Sequence, residues 1–233
     1  MKNADLCRNL DVAIIGGGII GCSTAYYLSK SGIKVGVFEK SHRVAEEQSG
    51  RNWGFVRQSG RDPIELPMMI RSNKIWQTLE KELNRDLGWQ QGGILGVTNE
   101  EDSMSAYEDW CQMASTYDIE TKLLNGTQVL DLLPNMQKKW AGGIFVPSDG
   151  NADPDVTTQA FADATLSNNG NIYTNQSVIG IDTKSGEICG ILTDKGYIAA
   201  RIVIIAAGAW SSKISSWLGI SLPQIRVRGT VGR

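Results

Sequence analysis

Histidine is nearly missing from this chain: His42 is the only one among 233 residues. Cysteine is sparse too, with Cys7, Cys22, Cys111 and Cys189 widely scattered and no CxxC pair among them. These shortages argue against a zinc site and a disulfide framework, and they suit a reducing, cytoplasmic compartment. No run of five or six like charges occurs, and the formal net charge is −2 with a pI near 5.5. Such a chain has no basic excess to neutralise a phosphate backbone, so nucleic acid is not an expected partner. A long apolar run is lacking as well. The stretch from Val12 to Leu28 is broken by Gly16, Gly17, Gly18, Gly21 and several polar residues, so it is unsuited to spanning a bilayer. A charged strand rather than a cleavage site follows it, which argues against a signal peptide. Internal repeats and low-complexity segments are also absent. What is left, 41% hydrophobic and 21% charged, is the composition of an ordinary soluble protein with a real core, in one large domain or two interleaved ones.

Hydrophobic periodicity orders the chain. Residues 11–15 (DVAII) read as a buried strand, 19–31 as a helix stopped by Gly32, and IKVGVFE as a second strand, a complete βαβ opening. Leu66, Met69, Ile70, Trp76, Leu79 and Leu83 recur at helical spacing, and Met104, Tyr107, Cys111 and Ala114 mark another helix. Residues 90–98 and 140–148 have the glycine-flanked apolar character of strands in a separate sheet. Asp153 and Pro154 read as N-cap and first position of a helix over Val156–Asn168. From Asn171 onward, strands alternate with turns at Ser185-Gly186 and Lys195-Gly196, predicting a β-meander that feeds a final buried strand from Ile202 to Ala206.

The chemistry concentrates in Gly16, Gly18 and Gly21, a GxGxxG set between strand and helix. The first glycine permits the tight turn, the second lets a pyrophosphate approach the backbone, and the third lets helix and strand pack closely. The helix N-terminus then offers N–H groups and a positive dipole end to the phosphates. Glu39 ends the second strand eighteen positions after Gly21, where a carboxylate can accept from both hydroxyls of an adenosine ribose. A carboxylate there also disfavours a 2′-phosphate, hence NADP. The fingerprint by itself does not separate NAD from FAD. Residues 49–54 (SGRNWG), with Arg57 and Arg61 close behind, supply small residues and positive charge, which suits the anionic N1–C2 region of a reduced flavin.

Several separated motifs together resemble the FAD-dependent oxidoreductases of the D-amino-acid oxidase superfamily, which includes glycine oxidase, sarcosine oxidase and D-amino-acid dehydrogenases. The opening DVAIIGGGIIGCSTAYYLSKSGIKVGVFEK is similar to their FAD fingerprint, SGRNWG to their second glycine-rich loop, VPSDGNADP to their DG…DP segment, and IVIIAAGAWS to their late strand. The resemblance spans nearly the whole chain. It implies an α/β fold: a Rossmann-like FAD-binding domain with a parallel sheet and a β-meander (residues 1–84 and 148–222), and part of an antiparallel substrate-binding sheet (85–147 and 223–233). It also implies FAD as cofactor and oxidation of a small amine or amino acid, by hydride transfer from the carbon bearing nitrogen to flavin N5. By the same resemblance, Gly16, Gly18, Gly21 and Glu39 serve the ADP moiety, and Ser49, Gly50, Arg51 and Asn52 the flavin side. Val178 makes a backbone contact with adenine, and Gly208 permits close cofactor approach. Catalytic residues, the electron acceptor and the oligomeric state stay open at this level.

Each feature also has a plainer reading. Asp149, Gly150, Asp153 and Pro154 suit a turn and a helix cap, and Val178 suits any strand. Gly208 suits a strand-ending turn. Trp53 and Trp210 suit either ring stacking or the core. Cys22 suits a buried inert thiol better than a reactive one, and His42 a surface loop. Residues 225–231 (IRVRGTV) read as a strand that starts without a turn or polar tail to finish it, so the sequence predicts a fragment of the family fold. Two alternatives therefore stand beside the oxidase: a truncated FAD-binding module without turnover of its own, and an NAD-dependent dehydrogenase.

Overall fold

The computed structural model describes residues 9–136 and 139–230, which leaves Cys7 and the last residue of the predicted 225–231 strand outside the described residues. The chain divides into two compact units, one built from residues up to Trp53 together with those from Pro154 onward, the other from Gly54–Asp153. Among the described residues no helix is long and apolar enough to cross a membrane.

The first unit opens with β1 (Asn9–Ile15), α1 (Ile19–Lys30) and β2 (Val35–Phe38), each close to its predicted span. Alternate residues of β1 face opposite sides of the sheet. Val12 and Ile14 join Ala25, Val35 and Val37 beneath α1, while Ala13 and Ile15 join Phe38, Ile191 and Ile198 on the other face. A strand buried on both faces must be apolar throughout, which is why DVAII shows no alternation.

The chain then builds the second unit from β3 (Phe55–Val56), α2 (Leu66–Leu83), β4 (Ile94–Thr98), α3 (Asp102–Ser115), β5 (Lys122–Asn125), α4 (Gly126–Leu132), β6 (Gly142–Val146) and β7 (Gly150–Asn151). Strands β4, β6 and β5 form an antiparallel sheet in that order, and β3 pairs with β7. The predicted stripes hold: Leu66 of α2 and Ala114 of α3 are buried with Ile119, Ile144 and Val146, and Ile70, Tyr107 and Cys111 pack against them. The predicted strand at 90–98 is shorter than expected because Gln90 instead bridges to Asn151. Sequence reading missed β5 and α4. A capping box begins α4, in which the Asn125 side chain accepts from Gln128 N at 3.0 Å and the Gln128 side chain accepts from Asn125 N at 2.9 Å.

Back in the first unit, α5 (Pro154–Ser167) packs on α1, with Phe161 5.6 Å from Tyr26 between ring centroids. The strands β8 (Asn171–Tyr173), β9 (Val178–Lys184), β10 (Glu187–Thr193) and β11 (Gly196–Ile205) complete a six-stranded sheet of order β8-β2-β1-β11-β10-β9. Strands β8, β2, β1 and β11 are parallel, and β10 and β9 continue the sheet antiparallel. A short helix, α6 (Ser211–Ser215), follows.

Two expectations need correcting. The meander does not feed a separate buried strand from Ile202 to Ala206: β11 is one ten-residue strand that serves as the third meander strand and the fourth parallel one. Ile204 and Ala206 join the apolar cluster under α1, but that cluster stops short of Ile202, which is 55% exposed. The described part of the predicted 225–231 strand, residues 225–230, forms no strand. Ile225 and Val227 have the right residue types and are 90% and 86% exposed, because a strand needs a partner edge and none of the described strands pairs with them.

Asp149 is more than a turn residue. Its backbone N–H closes the expected turn on Val146 O, but its fully buried carboxylate accepts from Gln58 N at 2.8 Å, Ser59 N at 3.0 Å and Gln58 Nε2 at 3.3 Å. Removing it strands two buried backbone donors. Asp149→Ala is expected to destabilise the second unit by about 3 kcal/mol, read as a lower thermal unfolding midpoint; an unchanged midpoint would refute the role.

Candidate dinucleotide site

The turn between β1 and α1 is shaped by what side chains would strike. Gly16 sits at φ +114°, and a Cβ there would lie 2.5 Å from Ala206 O at the end of β11. A Cβ on Gly21 would collide with Gly16 O, so only glycine lets the first turn of α1 press against the strand end. Gly18 stands at the N-cap of α1 with no side chain to offer. Ser49 supplies the missing acceptor: its Oγ takes the Ile19 N–H at 2.8 Å, satisfying one of the helix's open donors.

Glu39 emerges from β2 beside this turn and is buried. Its Oε2 accepts from Gly17 N at 2.7 Å and its Oε1 from Ser41 N at 2.8 Å. An ionised carboxylate has about four lone-pair sites, so two contacts leave it able to accept from a pair of neighbouring hydroxyls.

Over these strand ends opens a cavity of about 760 Å³, lined wholly by the first unit. That is within the range of small-molecule sites, and its place outside the carboxyl ends of parallel strands is where open α/β sheets bind ligands. Of the residues singled out from sequence, Gly16, Gly18, Glu39, Ser49, Asn52, Val178 and Gly208 line it. Asn52 Nδ2 donates to Gln48 O and Ser49 O, bracing that loop. Gly21, Gly50 and Arg51 do not line the cavity. Gly50 is packed so that a Cβ would strike Ala45 O, and Arg51 is exposed with Nη1 3.5 Å from Glu47. Arg57 and Arg61 belong to the second unit and line a separate pocket of about 170 Å³ with Asn73 and Trp76. Trp53 is 58% exposed and so is not a core residue, while Trp210 lines the cavity and also packs against the apolar cluster of the sheet. His42 is exposed near Glu46, as a surface loop residue should be.

Sequence reading missed Lys40, Gln48, Lys213 and Gln224, all on the cavity wall. Lys40 carried one usable signal, its place directly after the strand-ending Glu39.

Residues 11–233 match the family described as FAD dependent oxidoreductase, which is nearly the entire chain. The chain belongs to this family. FAD is the family's cofactor, and the NAD-dependent alternative falls with that assignment. Among curated relatives, the chain is 30% identical over 229 residues to sarcosine oxidase subunit beta of Rhizobium meliloti, covering 95% of this chain and 55% of that protein. It is 26% identical over 222 residues to the mitochondrial sarcosine dehydrogenase of Mus musculus, covering 92% of this chain and 24% of that protein. Among solved structures, the L-amino acid deaminase from Proteus myxofaciens in complex with anthranilate superposes with a TM-score of 0.86 at 28% identity, over 93% of this chain and 49% of that one. The chain thus spans between about a quarter and just over half of these relatives. The relationship agrees with the mixed α/β architecture, in which a parallel sheet carries the family's cofactor-binding fold.

Cys22, in the first turns of α1, is fully buried and its Sγ points to Gly17 O at 3.5 Å. Burial pushes its thiol pKa up from 9.0 to about 12, and the nearby Glu39 charge adds to the rise. A helix N-terminus would lower it, but desolvation wins here. The folded state therefore keeps a proton that the unfolded chain loses near pH 9.0, so this site's contribution to stability is full below that pH and is lost as pH rises toward about 12. Native protein at neutral pH is expected to leave Cys22 unlabelled by a thiol reagent, with labelling appearing only on denaturation. Peptide mass mapping reads this directly, and rapid native labelling would contradict the assignment.

Proposed function

We propose that the cavity of the first unit binds FAD in an extended pose and that the protein uses it to oxidise an amine or amino acid. The observation that carries this reading is the meeting, in one cavity, of the glycine turn, the α1 N-terminus and the buried Glu39 carboxylate with acceptor sites to spare. Gly16, Gly18 and Gly21 then admit the pyrophosphate and Glu39 takes the ribose hydroxyls. Val178 meets adenine through its backbone, and Gly208 lets the cofactor approach the end of β11. Ser49, Gly50, Arg51 and Asn52 form the loop on the flavin side. The antiparallel sheet β4-β6-β5 is the start of the substrate side, and a cytoplasmic location fits the composition.

When bound, FAD would supply the redox chemistry, accepting a hydride at N5 from the substrate carbon bearing nitrogen and passing the two electrons on to oxygen or another acceptor, while water would hydrolyse the substrate imine to an oxo acid plus ammonia or amine. The chain's own contribution is to orient the cofactor and screen it from water. Amines and amino acids are favoured as substrates because relatives named for sarcosine and L-amino acids match over most of this chain. A second reading, FAD binding without turnover, is favoured by the lining of the cavity, which comes from the first unit alone and includes no residue of the antiparallel sheet β4-β6-β5.

The visible spectrum of purified protein, loaded with FAD and freed of excess cofactor, tests both. Retained, protein-shifted flavin that bleaches anaerobically with an amine or amino acid is the expected result. Retained flavin that no such compound bleaches would leave the second reading, and a folded protein that loses all flavin would sink the first. Glu39→Gln, which removes the charge and sets an amide NH2 against one of the two backbone donors, Gly17 N or Ser41 N, is expected to weaken FAD binding about tenfold, measured by flavin fluorescence titration.

A further inference from the structure

A dinucleotide brings negative charge into a cavity whose walls already carry Glu39, Glu46 and Glu47. Glu46 is matched by Arg43 at 2.9 Å, and Arg51, a cation that the sequence suggested, leans on Glu47 and does not line the cavity. The ammonium groups on the wall are those of Lys40 and Lys213. Lys40 is held from two sides: its Nζ lies 3.5 Å from the centroid of the Trp210 ring and 3.4 Å from Glu47 Oε1. An ammonium held over an aromatic face gives up side-chain freedom in advance of any ligand. The ring on which it rests packs against the same apolar cluster as Val178, the residue proposed to meet adenine, which associates the ammonium with the ADP half of the cofactor.

We propose that Lys40, held in place by the Trp210 ring, is the cation that receives the negative charge of the ADP half of the cofactor, with Glu47 as the intramolecular anion it relinquishes. This rests on the reading of the cavity as an FAD site. It gives the AAGAWS segment a specific role, in which Gly208 clears space at the end of β11 and Trp210 positions a lysine contributed by a distant part of the chain.

The test is equilibrium binding of FAD and of ADP to the wild-type chain and to Lys40→Met, Lys40→Arg, Glu47→Gln and the Lys40→Met/Glu47→Gln pair, across a range of salt. Lys40 and Glu47 are both substantially solvent-exposed, so these variants should fold, which unchanged thermal midpoints would verify. Lys40→Met is expected to weaken both ligands about fivefold and to flatten the salt dependence, Lys40→Arg to restore both, and Glu47→Gln to tighten binding. The loss on removing Lys40 should persist in the Glu47→Gln background. If it vanishes there, Lys40 merely neutralises Glu47 and the proposal is overturned. Equal binding by wild type and Lys40→Met at every salt concentration overturns it as well, while leaving the FAD site intact. A wild-type chain that binds neither FAD nor ADP removes the cavity reading and this inference with it.

Discussion

The close approach of α1 to the end of β1 is the constraint on which the first unit's site depends. Because Gly21 has no side chain, the helix can rest against the Gly16 carbonyl, and because Gly16 takes a positive φ, the chain can turn that tightly beneath the end of β11. The result points the open N–H groups of the helix at the space above the sheet. Everything else at the site is arranged around those donors. Ser49 accepts from Ile19 N, Glu39 accepts from Gly17 N, and the walls added by β9 and by the segment after β11 close the remaining sides.

Polarity at this spot is balanced rather than uniformly positive. A carboxylate as deeply set as Glu39 would be costly without partners, and two backbone N–H groups supply them. Those same contacts fix its orientation, so a ligand with paired hydroxyls meets an acceptor already in place. Cys22 feels the other side of that choice: sharing the dry interior with Glu39, it is kept protonated and is a packing residue despite its position on the helix. Surface carboxylates nearby are handled differently, with Arg43 spanning Glu46 and Asp155 at about 3 Å and so tying the loop after β2 to the start of α5.

Legibility in the sequence followed the range of the forces involved. The β1–α1–β2 opening could be read from its apolar runs set between glycines, and α2 and α3 because burial imposes a period that the residues obey locally, while Gly21 answers to a near neighbour, Gly16 O, and Gly16 to the remote Ala206 O. β5 escaped notice because KLLN is four residues long and largely exposed, leaving no alternation to detect. α4 carried a readable signal, the Asn125–Gln128 capping box, in a helix too short to show a stripe. Residues 225–230 misled for the opposite reason: their pattern is that of a strand, but pairing is a property of two segments and not of one. Lys40 shows the same limit at the site. A lysine after a strand looks like any solvated charge until Trp210, remote in sequence, is placed against it.

The cavity is assembled from two stretches that are far apart in the chain. Residues 15–52 contribute the turn, Glu39 and the Ser49 loop, and residues 177–224 contribute Val178, the end of β11 and Trp210. The glycine fingerprint therefore supplies only half of the walls, and the other half exists only once β11 has paired with β1. A ligand that needs both halves binds the folded unit and not the open chain, so its binding energy adds to the stability of that β1–β11 pairing by mass action. On the proposed FAD reading, cofactor binding and turnover are separable: among the described residues the cavity is lined by one unit, whereas oxidation of a substrate also requires groups to hold that substrate. A chain could satisfy the first requirement completely and still lack the second.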